Sequence, residues 1–195
     1  MSDLIRCNWA GNQPIYQEYH DLVWGRPVKD SQTLFAKLCL DGQQAGLSWI
    51  TILKKQQNYE HAFYNFEPQK IATMDEQDVE RLMQNAGIVR NRLKIQSIIK
   101  NANAYLAMAA NGEEFSHFIW QFVDHSVLGN AWQSQEQVPV STAQSDAMAK
   151  ALKKRGFSFV GTTICYAFMQ AVGLVNDHIV DCHCYQPCKE MAKSI

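Results

Sequence analysis

No stretch of the 195 residues approaches the roughly 18 uninterrupted apolar residues that a membrane span needs. The opening "MSDLIRCNWAG" has neither the basic start nor the apolar run of a secretory signal. Net charge is also missing: 18 Lys and Arg against 19 Asp and Glu leave −1, so a polyanion could be held only by a local basic face. Repeats, low-complexity tracts, an obvious linker and sustained strand alternation are absent as well. These absences argue against a membrane partner, a repeat array and a β-rich fold, and predict one cytoplasmic domain over 1–195.

What is present is helical. With 47% hydrophobic residues the chain can build a full core, and apolar residues at Ile95, Ile98, Ile99, Ala102, Leu106 and Ala109 keep the spacing of one helix face. Similar spacing recurs at 31–41, 48–63, 76–84, 115–123, 145–154 and 160–174. Capping signals stand before several of these runs: Asp30 and Ser31, Asp75, and Ser141 and Thr142. The pattern predicts an all-α protein with short connections. The exception is "SVLGNAWQSQEQVPVS" at 126–141, polar and broken by Gly129 and Pro139, which reads as a long surface loop.

Six cysteines in a reducing compartment are thiols or metal ligands rather than disulfides. Cys39 and Cys165 lie in apolar helical runs and read as small core residues. The other four fall in the two irregular ends, 1–28 and 176–195, which also concentrate His, Trp and Tyr. Zinc takes four N or S donors, often two from each of two segments. The tail offers His178 and Cys182, with Cys184 and Cys188 as competing thiols, and the head offers Cys7 and His20. Cys7, His20, His178 and Cys182 would make a Cys2His2 set that staples the two ends together. Two thiolates and no vacant position suit a structural metal. The alternative is that Cys7 and His20 are incidental and the tail thiols merely reduced.

In the centre, "LCLDGQQAGLSW" reads as a helix, a break from Gly42 to Gly46 and a second helix capped by Ser48. Asp41 beside that break is either a solvated turn residue or a placed carboxylate. Trp9, Tyr16, Tyr19, Trp24 and Trp49 crowd the first fifty positions, as a core would need, or a pocket for a flat cationic ligand. "VERLMQNAGIVRNRLKIQSIIKNA" at 79–102 reads as helix, tight turn, helix, with Gly87 in a left-handed position that leaves N–H groups exposed for a phosphate. Arg90, Arg92 and Lys94 follow, and "KALKKRG" at 150–156 adds a second basic cluster that suits a solvated helix end equally well.

"CNWA", "YQEYHDLVWG", "CLDGQQAGLSWITILKK", "NAGIVRNRLKIQ" and "ALKKRGFSFVGTTICYAFMQAVGLVNDH" together closely resemble the 3-methyladenine DNA glycosylase I family, bacterial helix-hairpin-helix base-excision enzymes. The resemblance spans nearly the whole chain. It implies two helical lobes around a cleft, with the helix-hairpin-helix at about 76–110 and a structural zinc, held by Cys7, His20, His178 and Cys182, joining 1–28 to 176–195. It also implies a base pocket at Tyr16, Tyr19 and Trp49. The family's pocket carboxylate is typically a Glu, and here it is Asp41, shorter by one methylene.

The activity implied is hydrolysis of the N-glycosidic bond of 3-methyladenine in alkylated double-stranded DNA by base flipping. The enzyme would be monofunctional, releasing free 3-methyladenine and leaving an abasic site. Asp41 would take a recognition and electrostatic role, Leu47 would fill the gap in the duplex or serve as a core leucine, and Gly87, Arg90, Arg92 and Lys154 would hold phosphate. A monomer is the default expectation. The competing readings are a zinc-stapled helical module that binds alkylated base or DNA without catalysis, and a zinc hydrolase, against which four protein ligands argue.

Overall fold

The computed structural model describes residues 4–195. Among these, eleven α-helices follow in order. The first five are α1 (Pro14–Leu22), α2 (Ser31–Gln44), α3 (Trp49–Leu53), α4 (Gln56–Ala62) and α5 (Pro68–Ile71). Then come α6 (Glu76–Met83), α7 (Arg92–Ala110), α8 (Phe115–Trp120), α9 (Ala143–Lys154), α10 (Thr162–Ala171) and α11 (Tyr185–Met191). Among the described residues, no helix is long and apolar enough to cross a membrane.

Local chemistry starts these helices where the caps predict. Asp30 accepts the Thr33 N–H at 2.7 Å. Asp75 accepts those of Gln77 and Asp78 while Asp78 returns a bond to the Asp75 N–H, and Thr142 and Ser145 close a second capping box. Ser31 is used otherwise: its hydroxyl contacts Glu114 at the start of α8. The run at 48–63 is not one helix. It divides at Lys54 and Lys55, where Lys55 takes φ −105° and ψ 0°.

Helix α2 is central. It packs on α3, α7, α8 and α10. Its Leu34, Phe35 and Leu38 are fully buried. The α7 face drifts from the expected stripe: Ile95, Ile98 and Ala102 are buried, Ala109 is exposed, and Ala104 and Met108 lie inside instead. Polar Asn101 also points inward, pairing with both the N–H and the carbonyl of Ser158. That anchor ties the "GFSF" turn to α7, with Phe159 lying against Gly42 of α2.

The stretch at 126–141 is more than a surface loop. Leu128–Gly129 (β1) pairs in parallel with Val175–Asn176 (β2), which draws the segment in toward the chain's end. Segments near the two ends are joined as well; the His183 N–H donates to the Ile5 carbonyl at 2.9 Å.

Candidate functional site

The "GQQAGLSW" run breaks later than its glycines suggest. α2 continues through Gly42 to Gln44, and only Gly46, at φ +76°, takes the left-handed turn. Gly42 serves a close approach instead: a Cβ there would stand 3.2 Å from the Phe159 side chain and carbonyl. Gln43 is wholly buried, its amide donating to the Lys94 carbonyl at 3.0 Å and its oxygen accepting from the Tyr59 hydroxyl. The ammonium of Lys94 is buried too and donates at 2.7 Å to the carbonyls of both Gln43 and Ala45. A cation at a helix C-terminus is favourable. Sequence reading grouped Lys94 with the basic surface, yet it caps α2 and makes the end of that helix rigid.

This rigid end places Asp41 one turn before the break, 1% exposed, facing a cavity of about 240 Å³. The solvated-turn reading of Asp41 is thereby set aside. Tyr16, Tyr19 and Trp49 line the same cavity. Trp49 and Tyr19 have ring centroids 5.3 Å apart, and Trp9 packs on Tyr16 at 5.1 Å and on Trp24 at 5.0 Å. Trp9 and Trp24, which the sequence leaves open between core and pocket, line it too, together with Lys37, Gln44, Gln135 and Gln170, which the sequence does not assign to a pocket. For the two tryptophans the signal was present in the aromatic crowding. For Gln135, inside a polar loop, there was none.

Three buried polar atoms of the cavity have no protein partner: Asp41 Oδ2, Trp49 Nε1 and Gln135 Oε1. Most buried polar groups are satisfied, so two free acceptors and one free donor around one aromatic-walled space mark a place for a polar flat molecule. Burial pushes the Asp41 carboxyl above its ordinary range, with the Lys37 ammonium opposing the shift. Burial, and then the charge of Asp41, raises Tyr19 well above the ordinary phenol value. Gln170 is held from behind: its amide donates to Asp177 at 2.9 Å, and that buried carboxylate also receives Tyr166, Trp132 and Asn130.

A second cluster lies directly behind these aromatics. Cys7, His20, His178 and Cys182 are all buried, with donor atoms within 4.8 Å of one another. Cys182 Sγ stands 3.5 Å from His20 Nε2 and 3.4 Å from His178 Nδ1, and Cys7 Sγ is 3.6 Å from His178 Nδ1. With Zn–S of about 2.3 Å and Zn–N of about 2.05 Å, a tetrahedral ion would separate N from S by about 3.6 Å. The donor set fits zinc in type, number and spacing. The outer nitrogens are held as well: His20 Nδ1 pairs with Asp21 at 2.8 Å and His178 Nε2 with the Trp24 carbonyl at 3.2 Å. Asp21 is gripped further by Arg6 and His183, which outweigh its partial burial and hold it well below the usual carboxylate range. Cys184 belongs to an outer group with His20, Asp21 and His183; the inner nitrogen of His20 faces Cys182. Cys188 is buried outside both groups. The cluster also positions the pocket, because Tyr19 adjoins His20 and Trp24 packs on His178 at 4.7 Å.

The expected DNA contacts are scattered. Leu47 is 40% exposed, three residues beyond the cavity-lining Gln44, so the core-leucine reading does not hold. Arg90 and Lys154 are exposed and form no ion pair among the described residues, whereas Arg92 is engaged by Glu76 and Glu80. Gly87 is not left-handed. It is glycine because a Cβ would meet the Asn58 and Asn85 side chains at 2.9 Å. Its N–H, expected to be free, donates to Asn85 Oδ1 at 2.8 Å, and the Val89 N–H donates to the Tyr59 hydroxyl at 3.1 Å.

The family model for methyladenine glycosylase matches residues 9–185. The DNA-3-methyladenine glycosylase 1 of Escherichia coli K12 is 59% identical over 180 residues, covering 92% of this chain and 96% of its own. A crystal structure of 3-methyladenine DNA glycosylase I superposes with a TM-score of 0.92 at 59% identity, over 93% of this chain and all of that one. A Staphylococcus aureus 3-methyladenine DNA glycosylase I, solved to explain 3-methyladenine recognition, superposes with a TM-score of 0.88 at 40% identity, over 91% and 95% of the two chains.

Proposed function

The chain belongs to the methyladenine glycosylase family, and from that premise we propose that its cavity receives a flipped 3-methyladenine and that the protein cuts it from alkylated DNA. The observation that carries this reading is the set of unpartnered atoms between aromatic walls. The free acceptors of Asp41 and Gln135 match an exocyclic amino group, and the free donor of Trp49 matches a ring nitrogen. Methylation at N3 leaves the attached ring with a formal positive charge. A buried carboxylate and indole face favour that cation over neutral adenine.

The leaving group is therefore activated before the enzyme acts. As the C1′–N9 bond breaks, its electron pair passes to the base, which becomes neutral. Water then adds its oxygen to C1′ of the oxocarbenium-like sugar and gives a proton to solvent. Stacking of about 1–3 kcal/mol per base offsets the few kcal/mol of flipping, and Asp41 holds the cation where the bond is weakest. No amine nucleophile is called for. The lysine that follows the 84–91 turn, Lys94, is committed to two carbonyls, which supports a monofunctional enzyme.

Helices α6 and α7 with the turn between them serve as the helix-hairpin-helix, holding phosphate with Arg90 and Lys154 while Leu47 enters the duplex. Arg92 would first have to leave its two glutamates. Cys7, His20, His178 and Cys182 would hold a structural zinc that fixes Tyr19 and Trp24 in place. A monomer in the cytoplasm suffices for this work.

Free base released from methylated duplex DNA by wild type, Asp41→Asn and Asp41→Glu, each with its metal content measured, tests the reading. Wild type should release 3-methyladenine and Asp41→Asn should fall by about 10²–10³ in kcat/KM, as for loss of a transition-state contact. Correctly folded, metal-loaded wild type that binds methylated DNA and releases nothing would sink the enzymatic reading in favour of a binding module.

A further inference from the structure

The carboxylate and the indole face of the cavity are both already engaged by a cation of the protein itself. Lys37 and Asp41 stand one turn apart on α2 and form an ion pair whose side chains are 13% and 2% exposed. The same ammonium lies over Trp49, 3.9 Å from the ring centroid. A carboxylate and an aromatic face are the two attractions that a cationic base would use here. One lysine holds both.

Lys37 also has somewhere to go. A neighbouring cavity of about 420 Å³ shares Tyr19, Lys37 and Ala171 with the first, and carries Asp30 and Glu60 on its wall. A long flexible side chain on the boundary between two cavities can swing from one to the other by rotamer change, without moving the helix.

We propose that Lys37 is a specificity-determining residue: its ammonium stands in for a cationic base against Asp41 and Trp49, yields only to a base that can replace both attractions, and returns when that base has lost its charge. This rests on the base-excision reading above. A neutral adenine offers stacking and hydrogen bonds but no charge, so it cannot compensate Asp41 for the lost ammonium. A methylated base can. Once the C1′–N9 bond has broken, the product is neutral, and Lys37 competes successfully for Asp41 again. Charge loss is thus coupled to product release. Burial draws Lys37 below and Asp41 above their ordinary values, and each partner's charge restrains the other's shift.

The test uses the metal-loaded full chain as wild type, Lys37→Met and Lys37→Arg, with folding checked by thermal melting. Binding of free 3-methyladenine and of adenine is read from tryptophan fluorescence, and excision from methylated duplex is followed in single and multiple turnover. Lys37→Met should bind both bases about tenfold tighter, with the larger gain for adenine, and its multiple-turnover rate should fall relative to its single-turnover rate because product leaves slowly. Lys37→Arg should stay near wild type. Equal or weaker base binding by folded Lys37→Met, with excision intact, overturns the role of Lys37 and leaves the glycosylase reading standing. If none of the three proteins binds or releases a base, both fall together.

Discussion

The four-donor clasp and the cavity in front of it share a wall of aromatic rings and are opposite in their polar chemistry. In the clasp, each histidine has its outer nitrogen held, by Asp21 and by the Trp24 carbonyl. In the cavity, Asp41, Trp49 and Gln135 each keep one buried atom without a partner. Satisfied groups stabilise a fold, whereas unpartnered buried groups each cost about 1–3 kcal/mol and are kept where a ligand will complete them. Of the four such atoms among the described residues, three belong to the cavity's lining; the fourth, Arg26 Nε, lies outside it. The clasp is therefore read as architecture and the cavity as machinery.

The largest effect should come from breaking the clasp. Cys182→Ala removes one ligand and leaves three buried donors without their ion. A loss of about 3–5 kcal/mol is expected, or roughly 10 °C in Tm, together with loss of stoichiometric zinc in elemental analysis. A variant that melts with wild type would mean the cluster is ordinary core.

An intermediate effect of opposite sign sharpens the contrast. Lys37→Met combined with Asp41→Asn removes a buried ion pair, and such replacements are often neutral or stabilising by about 1–4 kcal/mol. The double variant should melt at or above wild type while its base release falls by about 10²–10³. Its pH dependence should differ too. Asp41 has a folded-state pKa above its ordinary 3.8, so its ionisation disfavours the folded form, and its own contribution to wild-type stability falls as pH rises from about 3.8 through the folded value. That slope should be absent from the double variant. A double variant that melts well below wild type would show that the cavity's pair is structural, and the contrast with the clasp would fail.

The smallest effect concerns the surface around both regions. Arg90→Ala and Lys154→Ala should each reduce the salt dependence of DNA binding by about 0.9 in log–log slope. Arg92→Ala should change it little, because Glu76 and Glu80 already occupy that guanidinium. Equal losses from all three would show that DNA draws Arg92 away from its glutamates.

Much of this molecule is legible without coordinates wherever the determinant is local. The caps at Asp30, Asp75 and Thr142 act over three residues, so the sequence shows them directly. The stripe on α7 is legible only in part. Periodicity cannot tell that Asn101 turns inward to hold Ser158, or that Ala109 reaches solvent. Gly87 departs from its expected left-handed turn for a related reason: a glycine demanded by a neighbour's side chain looks the same in sequence as one demanded by a left-handed turn.

The sequence alone determined the helical class, through apolar spacing and caps, and supplied the donors of the clasp, because His and Cys are scarce enough that their grouping at the two ends stands out. Tertiary structure decided which thiol faces His20. It also turned Lys94 from surface charge into a helix cap, set Lys37 over Trp49, and brought Gln135 from a polar loop into the cavity. These are contacts between segments far apart in the chain. No residue carries in its own neighbourhood a record of what will be packed against it, so burial and pairing emerged only when the helices met.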